Sequence, residues 1–227
     1  MTSPLQSVIA ESYGVKTENT LTGFKWICGL LNEIEKENSE RNFLFATEES
    51  FGYLNHSFVR DKDGVSTVAL MSEMALHYKE KGMDLLDALD SLYEKYGFSH
   101  EHLINLVYKG KSGAEKITRI MAFFRNLKNE SNLFGDELES IDDFQEKQTL
   151  NVATQKKIPI DMPTSNVLGF HFKSGDKLYL RPSGTEPKIK FYLMNQVKEG
   201  SLSDKKAQAR KKTESWTRDI HNMTEEI

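Results

Sequence analysis

The chain has 227 residues, 38% of them apolar and 28% charged, with thirteen Phe, eight Tyr and two Trp. That length allows one large domain or two small ones, and that bulk of aromatic side chains excludes disorder of the whole chain. Thirty basic residues against thirty-four acidic ones leave a net charge of −4, which argues against nucleic acid or an anionic membrane as the main partner, so any anion site has to be built from a few placed residues.

Leu5 to Tyr13 reads as a helix ended by Gly14. The stretch before it has no basic region followed by an apolar run, so no secretory signal is expected and cytoplasm is the default location. Cys28 is the one cysteine, which excludes an intrachain disulfide and fits a reducing compartment. Val15 to Glu18 is a candidate strand. Trp26, Ile27, Leu30, Leu31 and Ile34 keep a helical period, with Cys28 among them as a core residue. Phe43 to Ala46 is a short apolar run of the kind expected in a buried strand. Gly64 opens a helix through Tyr78 that is apolar nearly all round, a pattern expected of burial on more than one side. Asp84 is a plausible N-cap for a further helix that Gly97 stops. Helix, strand, helix, strand, helix, helix is the order of an α/β layer with parallel strands.

The second half reads differently. Leu103 to Tyr108 suggests a strand. Ser112-Gly113-Ala114-Glu115 has the capping-box pattern ahead of Ile117, Ile120, Met121, Phe124 and Leu127. Residues 129–165 read as polar and irregular. Strands follow at Leu168–Phe172, Leu178–Leu180 and Ile189–Leu193, the first two joined by a tight turn at Ser174-Gly175-Asp176. Ala209, Thr213, Trp216, Ile220, Met223 and Ile227 fall on one face of a closing helix, with Lys205, Lys206, Arg210, Lys211 and Lys212 on its solvated side. An antiparallel sheet with helices on one face is the expected result. The fold class is therefore α/β followed by α+β, with residues 1–100 and 101–227 as the two domains.

Four segments carry candidate chemistry. Arg181-Pro182-Ser183-Gly184-Thr185-Glu186-Pro187 lies between two predicted strands. Its hydroxyls, its glycine and its guanidinium suit a phosphate dianion, although a turn-rich hairpin loop has the same composition. Thr47-Glu48-Glu49-Ser50-Phe51-Gly52-Tyr53 follows a predicted strand, where ligands of α/β sheets gather. Neighbouring side chains diverge in an extended loop, so one of the two glutamates is expected to face a ligand. Arg60-Asp61-Lys62-Asp63-Gly64 sits at a helix N-terminus, which attracts anions and which Asp61 or Asp63 would also cap. Thr20-Leu21-Thr22-Gly23-Phe24-Lys25-Trp26 is another loop leading into a helix, with a Thr N-cap as the plain alternative. His100-Glu101-His102 lacks a third metal ligand and reads as a surface pair. His171, between Phe170 and Phe172 on a strand, is expected to face solvent.

Taken in order, these four segments resemble those of the α-D-phosphohexomutases, the phosphoglucomutase/phosphomannomutase superfamily. Thr20–Ile27 is similar to that family's third-domain Thr-Gly loop and Thr47–Tyr53 to its sugar-selecting Gly-Glu-Glu-Ser loop, with Thr47 in place of the usual Gly. Phe58–Gly64 is similar to the Arg-Asp-Lys-Asp-Gly segment, and Arg181–Tyr192 to the fourth-domain phosphate loop. The resemblance implies that residues 1–100 are the C-terminal portion of domain three and residues 101–227 are domain four.

The resemblance also implies roles. Glu48 and Ser50 would bind sugar hydroxyls, with Thr22, Gly23 and Arg60 lining the sugar site. Lys62 would stand close to the reacting phosphate as the catalytic residue. Arg181, Ser183, Gly184 and Thr185 would hold the phosphate that is not transferred. The parent activity implied is interconversion of hexose 1-phosphate and hexose 6-phosphate through a phosphoserine, with Mg²⁺ as cofactor. The phosphoserine loop and the magnesium loop, of the Thr-Ala-Ser-His-Asn-Pro and Asp-Gly-Asp-x-Asp-Arg kinds, are not in this sequence. The implied partners are therefore glucose or mannose phosphates, the hexose bisphosphate and the parent's first two domains. The implied state of the fragment alone is inactive and metal-free. A phosphopentomutase and a non-catalytic sugar-phosphate-binding protein are the competing readings.

Overall fold

The first segment of the chain folds as four helices around one small hairpin. In a computed structural model that describes residues 2–37, 40–184 and 186–227, the elements are α1 (Leu5–Ser12), α2 (Phe24–Lys36), β1 (Ala46–Glu48), β2 (Gly52–Leu54), α3 (Gly64–Glu80) and α4 (Leu85–Tyr96). Gly14, at φ 71°, ends α1, as its freedom in the left-handed region allows. Phe24, Cys28 and Leu31 recur on one face of α2 and are buried. Phe24 and Cys28 meet Leu54 from β2 in a small core. Asp63 caps α3 by accepting from the backbone N–H groups of Val65 and Ser66, at 2.9 and 3.1 Å. Asp84 caps α4 in the same way, accepting from Leu86 and Asp87, both at 2.8 Å.

Three sequence-based expectations fail in this unit. Val15–Glu18 is not a strand. The strand placed at Phe43–Ala46 begins only at Ala46, leaving Leu44 and Phe45 exposed. It pairs antiparallel with β2, so the parallel layer expected from the element order is not formed among the described residues. The third concerns α3: its apolar circumference suggested burial on several sides, but no residue of it is buried.

The chain divides between Tyr96 and Gly97, a few residues before the boundary read from sequence. The reason is that β3 already starts at Phe98, which pairs with Val197 in the register of the following sheet. The second unit comprises β3 (Phe98–Val107), α5 (Gly110–Asn126), β4 (Asn132–Leu133), β5 (Asp136–Asp143), β6 (Gln148–Asn151), β7 (Lys157–Pro159), β8 (Leu168–Phe172), β9 (Lys177–Pro182), β10 (Lys188–Val197) and α6 (Leu202–Glu226). The sheet order is β3-β10-β9-β8-β5-β6-β7, with β4 added on β5. All its pairings are antiparallel.

Alternation puts Phe170, Phe172, Leu178, Leu180, Ile189 and Phe191 on one face of this sheet. There they pack with Ile117, Ile120, Met121 and Phe124 of α5 and with Trp216 and Ile220 of α6. Each such side chain taken fully out of water stabilises the fold by roughly 1.5–3 kcal/mol. α5 starts at Gly110, ahead of the capping box read at Ser112–Glu115, and its N-cap residue Lys109 makes no side-chain capping bond. Gly113 serves close packing instead: a Cβ there would stand 2.4 Å from the Tyr108 carbonyl oxygen. The segment read as irregular, residues 129–165, holds β4 to β7.

Candidate functional site

In the first unit the hairpin, the Arg60–Gly64 segment and the start of α2 come together. The backbone N–H of Asp63 donates to Tyr53 O at 2.8 Å, tying the segment before α3 to β2. Lys62 is thereby brought back to the hairpin. Its Nζ lies 4.0 Å from Glu48 Oε2 and 4.9 Å from the centroid of the Phe24 ring, a cation–π arrangement. Asp61 steadies the same lysine, with its Oδ1 3.2 Å from Nζ. Gly52 makes this closeness possible. A Cβ there would meet Phe24 at 2.7 Å and Glu48 Oε2 at 3.0 Å.

Glu48 is thus the inward member of its pair, with a side chain only 13% exposed. Glu49 and Ser50 lie exposed at the hairpin turn, and Phe51 adopts φ 52° there. Gly23 is the N-cap residue of α2, at φ 121°, with no side-chain cap, so neither Thr20 nor Thr22 caps that helix. Arg60 forms an ion pair with Glu35 of α2.

The Asp63 carboxyl is held down to about 2 by its hydrogen bonds with the side chain and N–H of Ser66, joined by those from His56 and Val65. His56 Nε2 is 2.7 Å from Asp63 Oδ2, and the His56 ring stacks on Phe58 with centroids 3.7 Å apart. Asp63 therefore stays ionised at the N-terminus of α3, beside Lys62.

In the second unit Arg181 is the penultimate residue of β9, and its Cα partner across the sheet is Lys190 of β10. Leu180 and Phe191 point to the helix side, so Arg181 and Lys190 share the other face. Like charges directly opposite each other destabilise a sheet, and a bound dianion would relieve that. The loop that follows is closed by Ser183 N–H donating to Lys188 O at 2.8 Å and Lys188 N–H donating to Glu186 O at 2.7 Å. Glu186 and Lys188 also form an ion pair. Gly184 is exposed, with open space where a Cβ would be. Thr185 lies outside the described residues. Behind the loop, on the α5 side, is a cavity of about 390 Å³ lined by Ile117, Met121, Arg125, Asn166, Pro182 and Ser183 among others.

Residues 1–96 match the phosphoglucomutase/phosphomannomutase family, in its alpha/beta/alpha domain III. A phosphoglucomutase from Staphylococcus epidermidis is 35% identical over 189 residues, which is 83% of this chain and 34% of that protein. A phosphoglucomutase from Staphylococcus aureus strain MRSA252 is 36% identical over 193 residues, 85% of this chain and 34% of that protein. The chain belongs to the phosphoglucomutase/phosphomannomutase family. It spans about a third of the length of these relatives. The fold agrees with the open form of the exocytosis-sensitive phosphoprotein pp63/parafusin, a phosphoglucomutase from Paramecium. That match has a TM-score of 0.60 at 16% identity and covers 94% of this chain and 36% of that one. The helices and mostly antiparallel sheet described above are consistent with that fold.

Two residues at these candidate sites receive no individual role from the sequence. Lys190 stands within the Arg181–Tyr192 segment, and the register sets it opposite Arg181. Phe24 stands within the Thr20–Trp26 segment, and its place under the Lys62 ammonium comes from the fold. Neither pairing has a signal in linear spacing. His100 and His171 also need correction. His100 is half-buried against α6, with Nδ1 2.9 Å from Thr213 Oγ1. His171 is held at 2.7 Å from Asp142 rather than standing free in solvent.

Proposed function

We propose that this chain supplies the sugar-recognition and phosphate-holding surfaces of a phosphoglucomutase, whose reaction interconverts hexose 1-phosphate and hexose 6-phosphate. The observation that carries the reading is the meeting of Lys62, Glu48 and Phe24 beside Gly23. Three stretches separated in sequence supply one carboxylate for sugar hydroxyls, one ammonium for a phosphate oxygen and an apolar ring beneath that ammonium.

Glu48 would accept hydrogen bonds from sugar hydroxyls, joined by the Ser50 hydroxyl, while Thr22, Gly23 and Arg60 line the pocket. Lys62 would neutralise charge on the phosphoryl oxygens as transfer proceeds, an electrostatic contribution made without reorganisation. Arg181, with Lys190 behind it, would hold the spectator phosphate through its planar fork, and Ser183, Gly184 and Thr185 would close on it. Both ends of the sugar carry phosphate in turn, so these two surfaces have to accept it in either orientation.

Family chemistry uses magnesium to neutralise charge. Among the described residues no group of three or more His, Cys, Asp or Glu side chains could hold a metal ion, so no step assigned here passes through one. With no phosphoserine loop in the sequence, the 227 residues alone would bind but not turn over. No helix among the described residues is long and apolar enough to cross a membrane, and cytoplasmic carbohydrate metabolism is the proposed setting.

The test is an NMR titration of the purified chain with glucose 1-phosphate, beside a coupled mutase assay. Shifts at Gly23, Glu48 and Lys62 and at Arg181–Gly184, without turnover, are the expected result. Absence of shifts in both places would sink the binding reading, and turnover free of host enzyme would sink the inactive one.

A further inference from the structure

The placing of Lys62 runs through its neighbour Asp63, whose carboxylate is divided between two partners. Oδ1 accepts from the N–H groups of Val65 and Ser66 and so caps α3. Oδ2 lies 2.7 Å from His56 Nε2. His56 stands shortly after β2, whose last residue, Leu54, packs with Phe24 in the small core. The path closes on itself. Phe24 holds Leu54, the chain from Leu54 carries His56, His56 holds Asp63, and the Lys62 ammonium returns over the Phe24 ring. Asn55 repeats the link one turn along α3, accepting from the Ser66 hydroxyl at 2.6 Å and donating to Ser66 O at 3.4 Å.

The His56 ring is committed to this bond. Asp63 is ionised and can only accept, so the hydrogen is on Nε2. Nδ1 is then a bare lone pair, buried with no hydrogen-bond partner among the described residues. Phe58 stacks on the ring with planes 7° apart and fixes its orientation. The His56 and Asp63 side chains are each 17% exposed, so the bond is made largely out of water, where one to a charged group is strong. Capping of α3 needs only Oδ1. What His56 adds is orientation: with both oxygens held, the carboxylate cannot turn, and the peptide that joins Asp63 to Lys62 has one position.

We propose that His56 is a positioning residue for Lys62, fixing its ammonium over Phe24 and opposite Glu48 through the bond to Asp63. The consequence for ligand rests on the sugar-phosphate reading of Lys62. The positioning itself is measured without ligand.

The experiment is NMR on the 227-residue chain and two variants. The Lys62 Cε protons, beside an ammonium that lies over Phe24, are shifted upfield by the ring current, and Phe24→Leu identifies that shift by removing it. His56→Gln, whose amide N–H replaces Nε2–H, is expected to keep the shift. His56→Asn, whose shorter amide stands at the Nδ1 position, is expected to lose most of it. Affinity for glucose 1-phosphate is expected to fall about fivefold in His56→Asn and to stay within about twofold in His56→Gln, as displacement of a placed binding group predicts. A Lys62 shift unchanged in His56→Asn overturns the proposal, whatever the urea midpoint does, because His56 is then structural only. Loss of the shift in both variants overturns it too, since the ring and not its bond to Asp63 would be at work. His56→Gln reads the proposal alone if His56→Asn does not fold. A shift lost only in His56→Asn with affinity unchanged upholds the positioning and overturns the sugar-phosphate reading of Lys62 instead.

Discussion

The ammonium of Lys62 stands 4.0 Å from the carboxylate of Glu48, close enough to attract but too far for a hydrogen bond. The pair is held apart by what surrounds it: Asp61 draws on the lysine and the Phe24 ring lies beneath it. A gap of that kind leaves room for ligand oxygens between two opposite charges.

Glu48→Gln keeps the shape and removes the charge-assisted acceptor, a loss of roughly 1.5–3 kcal/mol for a bond to a charged group. Affinity for glucose 1-phosphate is expected to fall about tenfold or more by NMR titration, while the urea midpoint stays within error, because the half-exposed lysine contributes little to stability. A large loss of stability with unchanged affinity would make Glu48 structural.

Arg181 and Lys190 place like charges on facing positions of β9 and β10. Lys190→Met is expected to raise stability by a few tenths of a kcal/mol in urea denaturation, since like cross-strand charges cost about 0.2–1 kcal/mol. The same change is expected to weaken binding of inorganic phosphate and to flatten its salt dependence. If Lys190→Met lowers stability and leaves phosphate binding alone, the two cations are not a phosphate site.

Much of the second unit was legible because its strands alternate cleanly. Phe170 and Phe172, or Ile189 and Phe191, announce one buried face. β5 hid from the same test for a physical reason. Its register shifts between Leu138 and Ser140, so the buried residues Leu138 and Ile141 stand three apart and the alternation breaks. α3 misled in the opposite direction, because apolar composition reports the need for a contact and not its presence. The site segments were legible as motifs. Their meeting was not, since it depends on Gly52 admitting Phe24 and Glu48 to contact distance. Lys212, read as part of a solvated face, was misplaced because its partners lie far along the chain.

His100 supplies a pH dependence. Thr213 Oγ1 donates to Ala209 O at 2.9 Å and so has only lone pairs left for His100 Nδ1 and for the Asn195 amide. The imidazole is therefore the Nδ1–H tautomer. Burial, with His102 and Arg210 nearby, lowers its pKa despite Glu101. A histidine lowered on folding binds its proton more readily when unfolded, so stability is full at neutral pH and falls as pH drops below about 6.5. The urea midpoint is expected to decline from pH 7 to pH 5, and His100→Asn, whose amide N–H replaces Nδ1–H, is expected to reduce that slope. An unchanged slope in the variant would assign the dependence to other groups.

Lys212 fastens α6 to the sheet. Its Nζ lies 2.8 Å from Asp136 Oδ1 and 2.5 Å from Asp176 Oδ2, and 5.3 Å from the Trp216 ring centroid. Trp216 Nε1–H in turn donates to Asp136 at 3.0 Å. Burial pulls the Lys212 pKa down, but the bonds to Asp136 and Asp176 outweigh it and the net shift is upward. Asp176 is 1% exposed. Without the lysine its remaining side-chain hydrogen bonds among the described residues are those from Gln196 N–H and the Ser174 hydroxyl. Breaking a fully buried pair costs about 3–5 kcal/mol; with Lys212 and Asp136 partly open to water, Lys212→Met is expected to cost about 2 kcal/mol in urea denaturation. Asp176→Asn removes the stranded charge, so adding it to Lys212→Met is expected to recover part of that loss, with a coupling of about 1 kcal/mol. Strict additivity of the two changes would mean that Asp176 is satisfied by its backbone and serine partners alone, and that the lysine holds α6 through Asp136 and Trp216.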